Sequence, residues 1–268
     1  MICGTETDPI ARRDGDLPES AQVVAAGDPV GCSGKANAIA AGVEALQHDR
    51  LVEMDDDFHY PADWLAQLHA DDDRHGPVSE LPYFVGQDPL SRPLDPIYAS
   101  GGTLGIYAND KSWAGAVIFD RSDIDCDAFV RELRQTASDD GLLSESLDVK
   151  PLRRTRTVPV SGTIRETLER HLRFIRIVYR HEPFEALTGI VVTAGFAAVG
   201  LAFPLVAFVG VACMHAAINE FLGVRRWTAV FGFPAVLATL PLFGYGLVRQ
   251  TFVCGVVATA GARCSTWK

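Results

Sequence analysis

Residues 187–218 form a run of 32 positions without one charged side chain. As a single helix at about 1.5 Å per residue the run would be ~48 Å long, which exceeds a ~30 Å hydrocarbon core. Pro204 lies near its middle. The run therefore predicts two short membrane spans turning near Phe203 and Pro204, or one tilted and kinked span. Glu220, Arg225 and Arg226 mark an aqueous boundary, and residues 228–248 supply another span. Residues 251–262 are too short to cross and read as interfacial. Two or three spans are expected within residues 184–250, with 251–268 as an interfacial end.

Charge divides the chain at the same place. Residues 184–268 hold 2 acidic and 5 basic side chains, net +3, whereas residues 1–183 hold 32 acidic and 19 basic, net −13. A module of that sign repels phosphate backbones, and no Lys/Arg stripe offsets it, so nucleic acid is excluded as a partner. Only four basic residues are lysine: Lys35, Lys111, Lys150 and Lys268. An acidic, arginine-rich surface suits a high-salt cytoplasm, although drift in a GC-rich genome produces the same balance. The six cysteines show neither a C-x-x-C pair nor metal-ligand spacing with histidine, which leaves free intracellular thiols as the default. The first residues have no secretory n-region or apolar h-region.

Up to about residue 150 the pattern alternates between strand and helix, which predicts an α/β domain over residues 1–160 with a mostly parallel sheet covered on both faces. Residues 1–4, 22–25, 51–54, 83–86 and 114–119 read as strands. Residues 35–48 have apolar positions at helical spacing, residues 61–65 open a helix with proline in its first turn, and residues 127–136 form another. Residues 161–183 differ in character. Leu168, Leu172, Ile175, Ile177 and Val178 share a side, and Arg165, Arg170, Arg173, Arg176 and Arg180 dominate the rest. Such a helix, placed just before an apolar region, is expected to lie on the membrane surface.

Several carboxylates are placed for chemistry. Asp55-Asp56-Asp57 follows a strand, where ligands of open α/β sheets bind, and Asp55 with Asp57 could hold a hard divalent cation. Asp71-Asp72-Asp73 repeats the same letters after a helical segment and reads as solvated surface. Gly31-Cys32-Ser33-Gly34-Lys35 invites comparison with a phosphate-binding loop, but Pro29 and Ala36 stand where that motif needs glycine and a hydroxyl, so an NTPase is not expected. Lys35 and Asn37 at a helix start could still meet an anion. Asp139-Asp140 could be a helix cap or a general base, and taken alone the cap is the simpler reading.

In order, Thr7-Asp8-Pro9, Asp55-Asp56-Asp57, Asp139-Asp140 and Arg170-His171-Leu172-Arg173-Phe174 resemble the ordered motifs of family 2 glycosyltransferases with a GT-A fold, and most closely the ceramide glucosyltransferase group. Gly34-Lys35-Ala36-Asn37-Ala38 resembles the family's G-K-x-x-A helix start, Asp63-Trp64-Leu65 the segment after its metal motif, and Thr266-Trp267-Lys268 the beginning of its terminal tryptophan motif. Phe174 stands where the family usually has tryptophan. Against the family pattern the sequence begins at what resembles the second strand, so the GT-A-like sheet is expected to be short at its N-terminus.

The resemblance implies a multi-pass protein of the cell membrane with a cytoplasmic catalytic domain. It implies inverting, metal-dependent transfer of a sugar from a nucleotide-sugar donor to a lipid hydroxyl. Asp140, in the pair with Asp139, would be the base, Asp55 and Asp57 would hold Mg2+ or Mn2+, and Asp8, Lys35, Asn37, Arg170 and Arg173 would bind the donor. A polysaccharide synthase of the same fold and an inactive membrane remnant are the alternatives.

Overall fold

The computed structural model describes residues 2–3, 17–55, 59–89, 92–160 and 164–248. Asp8, Asp57, residues 251–262 and the Thr266-Trp267-Lys268 segment therefore lie outside the described residues. The strands are β1 (Ile2–Cys3), β2 (Val24–Ala25), β3 (Arg50–Met54), β4 (Val78–Gly86), β5 (Ala116–Asp120) and β6 (Lys150–Val160). The helices are α1 (Gly34–Ala45), α2 (Trp64–His75), α3 (Gly102–Ala108), α4 (Cys126–Leu133), α5 (Asp139–Ser146), α6 (Ile164–His181), α7 (Pro183–Ala202), α8 (Pro204–Phe221) and α9 (Gly232–Val248).

The chain is α/β, and its principal sheet is mixed rather than mostly parallel. Its order is β3-β5-β4-β6, with β5 antiparallel to both neighbours and only β4 and β6 paired in parallel; β1 and β2 form a separate parallel pair. The connection from β4 to β5 explains the difference. It runs through α3 rather than a full crossover, so β5 returns against the direction of its neighbours. β5 shows why both faces of this sheet are covered. Val117 and Phe119 join one apolar cluster, with Ala36, Ala40 and Val43 of α1, Phe129 and Leu133 of α4 and Leu142 and Leu143 of α5, while Ala116 and Ile118 join a second with Trp64 and Leu68 of α2. Alternate side chains of one strand thus enter opposite layers.

The apolar third of the chain breaks where proline dictates. α7 ends at Ala202 and α8 starts at Pro204, whose missing N–H is tolerated in a first turn. Two helical segments, Pro204–Phe221 and Trp227–Tyr245, are long and apolar enough to cross a membrane, with mean hydropathy 1.4 and 1.5; Ala186–Ala202 is a shorter apolar helix. Many of their large side chains are exposed, including Val191, Leu201, Leu205 and Val206. Polar contacts tie α8 to the sheet: the Tyr83 hydroxyl donates to Asn219 Oδ1 at 2.7 Å, Thr155 Oγ1 donates to the Leu222 carbonyl at 3.0 Å, and Ser100 Oγ lies 2.7 Å from His215 Nδ1. Leu222 also packs among Leu81, Tyr83 and Val85. Whatever holds α8 also holds β4 and, through the ladder, the strands beyond it.

Candidate active site

Three chain ends meet at one point. β3 delivers Glu53 and, one residue past its end, Asp55; α1 delivers Lys35 from its first turn; α5 delivers Asp139 and Asp140 from its first turn. Each helix start is held by serine. Ser33 Oγ accepts from the Ala36 amide at 3.1 Å, and Ser138 Oγ accepts from the Gly141 amide at 3.1 Å. The cap of α5 is therefore Ser138, and the cap reading of Asp139-Asp140 is corrected. With the cap position taken, both aspartates sit one step further in, where the helix dipole favours negative charge and their carboxyls are free for other contacts.

Lys35 Nζ lies 2.8 Å from Asp55 Oδ1, 2.8 Å from Asp139 Oδ2 and 4.0 Å from Glu53 Oε1. Asp140 Oδ1 accepts from the Ala114 amide at 2.7 Å. The turn 113–115 joins the two carboxylate groups, because the Gly115 carbonyl accepts from the Asp55 amide at 3.0 Å and from the Tyr60 hydroxyl at 2.9 Å. Gly115 must be glycine here. A Cβ would come within 2.5 Å of Asp55 Oδ2 and 2.3 Å of the Trp113 ring.

One ammonium faces four carboxyls, and the electrostatics follow from that imbalance. Burial opposes the charge on Lys35, but Asp139, Asp140, Glu53 and Asp55 outweigh it and hold the lysine well above its ordinary value. Burial pushes Glu53 well above the usual glutamate range; Lys35 pulls it back and the neighbouring aspartates add to the rise. Asp140 is pushed up to about 7 by burial and then by the charge of Asp139, with Lys35 and the Ala114 N–H opposing. Glu53 Oε1 and Asp139 Oδ2 are buried without a hydrogen-bond partner, the latter at ion-pair distance from Lys35 but off the direction of a hydrogen bond.

The structure thus gathers Lys35, Asp55, Asp139 and Asp140 from the sequence-predicted set. Asn37 is turned to another task. Its amide donates to the Ala26 and Gly27 carbonyls at 3.0 and 3.1 Å and accepts from Arg134 at 2.9 Å, so it clamps the loop before α1. Arg170 and Arg173 lie on α6, which packs on α7 and α9 and sets Phe174 edge-on to Phe84 of β4, ring centres 6.1 Å apart. His171 is buried in that helix, and burial pushes it down to about 4. Sequence reasoning missed Glu53, Tyr60 and the 113–115 turn. Gly115, two residues after Trp113, is the available signal for a close approach; the expected strand 114–119 includes it, whereas the strand begins only at Ala116.

The second aspartate run is solvated surface only at Asp73. Asp72 is buried 3.1 Å from Arg50 Nε, Asp71 pairs with Arg154 at 2.7 Å, and Asp73 pairs with Arg50 at 2.8 Å. The run lies inside α2, and Arg50 of β3 reaches across to it, which the local sequence does not reveal.

Among the described residues no group of three or more His, Cys, Asp or Glu forms a ready metal cage. Carboxylate oxygens converge at the site, and the cation that answers them is the Lys35 ammonium. No protein-family model, curated protein or solved structure matches the chain, so the site stands on its own geometry.

Proposed function

We propose that the protein is a membrane-bound glycosyltransferase of GT-A type that transfers a sugar from a nucleotide-sugar donor to a lipid hydroxyl with inversion. What supports this reading is the convergence of Asp55, at a strand end, and Asp139, at a helix start, on Lys35, with the Asp140 charge beside them. An inverting transfer needs a base beside the acceptor and positive charge beside the leaving diphosphate. Asp140 is the base: its carboxyl, pushed up to about 7, takes the acceptor proton as the acceptor oxygen attacks the anomeric carbon and the nucleoside diphosphate departs. The Ala114 amide orients that carboxyl by donating to its Oδ1. Lys35 contributes positive charge, and Arg170, Arg173 and Asp8 complete the donor contacts.

Asp55, with Asp57, would hold Mg2+ or Mn2+, which when bound neutralises the diphosphate. α6 would lie along the cytoplasmic face of the cell membrane and bring the lipid acceptor to the domain, with α7, α8 and α9 as a multi-pass anchor. The test uses the full chain in liposomes with a panel of nucleotide-sugars and a lipid extract, reading nucleoside diphosphate release. One donor should give acceptor-dependent release, and Asp140→Asn should lower it about 100-fold or more, the range of general-base loss. Folded protein that releases nothing from any donor overturns the function; an unchanged rate in Asp140→Asn removes the base.

A further inference from the structure

Residues 194–214 are 21 consecutive positions without a nitrogen or oxygen atom in any side chain, bounded by Thr193 and His215. Pro204 is the middle one, and α7 passes to α8 through the single residue Phe203. The run is thus two arms that meet at one turn. At about 1.5 Å per residue each arm of roughly ten residues is ~15 Å long, half of a ~30 Å hydrocarbon core.

Both arms return to the same side. α7 starts beside Glu182, which pairs with Lys111 at 2.5 Å. α8 ends where Asn219 accepts from Tyr83 and the Leu222 carbonyl accepts from Thr155. His215 closes its arm 2.7 Å from Ser100, and charge resumes close behind: Ser100 is five positions from Asp95, which faces Arg226 at 3.5 Å. The turn is the end of the hairpin that carries none of these groups.

A helical hairpin that crosses a bilayer puts its turn in water. This turn presents large apolar side chains instead, with Leu201, Phe203, Leu205 and Val206 each 63–75% exposed. Its backbone is also closed to water. The Phe203 N–H donates to the Val199 carbonyl at 2.9 Å, the Phe203 carbonyl accepts from the Ala207 amide at 3.0 Å, and Pro204 has no N–H that needs a partner. A turn whose backbone groups are answered within the hairpin is one that hydrocarbon tolerates. Gly200 keeps the arms together, because a Cβ there would strike the Phe233 ring of α9 and lie 3.1 Å from Ala207 Cβ.

We propose that α7 and α8 form a re-entrant hairpin that dips into the leaflet facing the α/β domain, with Phe203 near the bilayer midplane and lipid acyl chains covering the turn. The inference rests on the membrane part of the reading above and takes α7 and α8 out of the multi-pass anchor. It does not depend on the transfer chemistry.

The test uses the full chain in phosphatidylcholine liposomes whose acyl chains carry bromine at a chosen depth, without donor or acceptor. Bromine quenches an indole that it touches. The emission that Phe203→Trp adds over wild type should be lost most strongly to bromine near the chain ends and least to bromine beside the headgroups. Val206→Trp should give the same order, and Leu187→Trp, at the base of α7, the opposite one. Strongest quenching of Phe203→Trp and Val206→Trp beside the headgroups places the turn at an interface and overturns the hairpin. No quenching at any depth means that a second copy or another protein surface covers the turn, and overturns it as well. The deep pattern in liposomes that show no transfer leaves the hairpin standing and removes the transfer reading; shallow quenching with transfer intact does the reverse.

Discussion

Glu80 and Lys35 each sit at the centre of an ionic cluster, and the two clusters are built in opposite ways. Glu80 is completely buried, and every direction of its carboxylate is answered: Arg156 pairs with it at 2.5 and 2.7 Å, Arg154 at 3.1 Å, and the Trp64 indole N–H donates to it at 2.9 Å. The shift in register between β4 and β6 falls beside it, between Ser79 and Leu81, and brings two arginines of β6 to one carboxylate. Lys35 has the reverse proportion, with one cation among four acids and buried oxygens left over. A saturated cluster fixes a fold, because nothing is gained by adding a ligand. An unsaturated one stores a demand for charge that a ligand can meet.

The largest effect should come from breaking the saturated side. Glu80→Gln removes the charge that Arg154 and Arg156 share; Arg154 keeps Asp71, but the nearly buried Arg156 loses the carboxylate it pairs with, which costs about 3–5 kcal/mol in comparable sites. Chemical denaturation in detergent should show that loss, with β4 and β6 separating. Lys35→Met should cost less, since its side chain is 41% exposed and Glu53 and Asp140, already raised, can take up protons when the ammonium is gone. If the two substitutions destabilise equally, the distinction between a fold-fixing and a ligand-seeking cluster fails.

A pH series sharpens the same distinction. Asp140 is raised from the ordinary aspartate value to about 7, so the folded protein holds that proton more tightly than the unfolded chain does. Its contribution to stability is then full below about pH 4 and disappears as pH rises through about 7. Transfer should run the other way, rising through the same window as the base ionises. Asp140→Asn should flatten the stability profile between pH 4 and 8, values chosen to bracket the two forms. A profile that keeps its slope in the variant assigns the titration to another group.

How much of this was readable beforehand depends on the range of the interaction. Asp55 was legible because a strand end is a local feature and ligands gather there. Ser33 and Ser138 act locally too, each immediately ahead of the helix it caps. β6 was not legible: Pro151 and Pro159 argue against a strand, and the alternation of Arg and Thr shows no apolar face. Its place at the sheet edge explains why proline is tolerated there. The Glu80 cluster was beyond local reading altogether, because Arg156 is 76 positions away in sequence. The antiparallel return of β5 was missed for a related reason, since strand direction is decided by the path of the connection rather than by the strand's own residues.

Asn37 separates a positioning role from a binding one. Its amide holds the loop carbonyls of Ala26 and Gly27 and is itself held by Arg134. Asn37→Ala should destabilise the protein by about 1–2 kcal/mol through these lost hydrogen bonds. Donor affinity, measured as KM once a donor is known, should change little. A large KM change with no loss of stability would return Asn37 to the donor site.

The smallest effect belongs to the second aspartate run, where the two kinds of carboxylate stand side by side. Asp72 is buried against Arg50, and Asp73 reaches the same arginine from a side chain that is 67% exposed. Arg50 also keeps Asp120 at 3.0 Å. Removing Asp73 therefore leaves the guanidinium paired and places the lost charge where water already screened it, so Asp73→Asn should change stability by no more than about 0.5 kcal/mol. Asp72→Asn should cost more, because a buried amide cannot replace the anion that Arg50 meets there. Urea midpoints of the two variants decide the matter. Equal losses would mean that Arg50 and its three aspartates act as one unit, and burial would then no longer separate structural carboxylates from solvated ones in this chain.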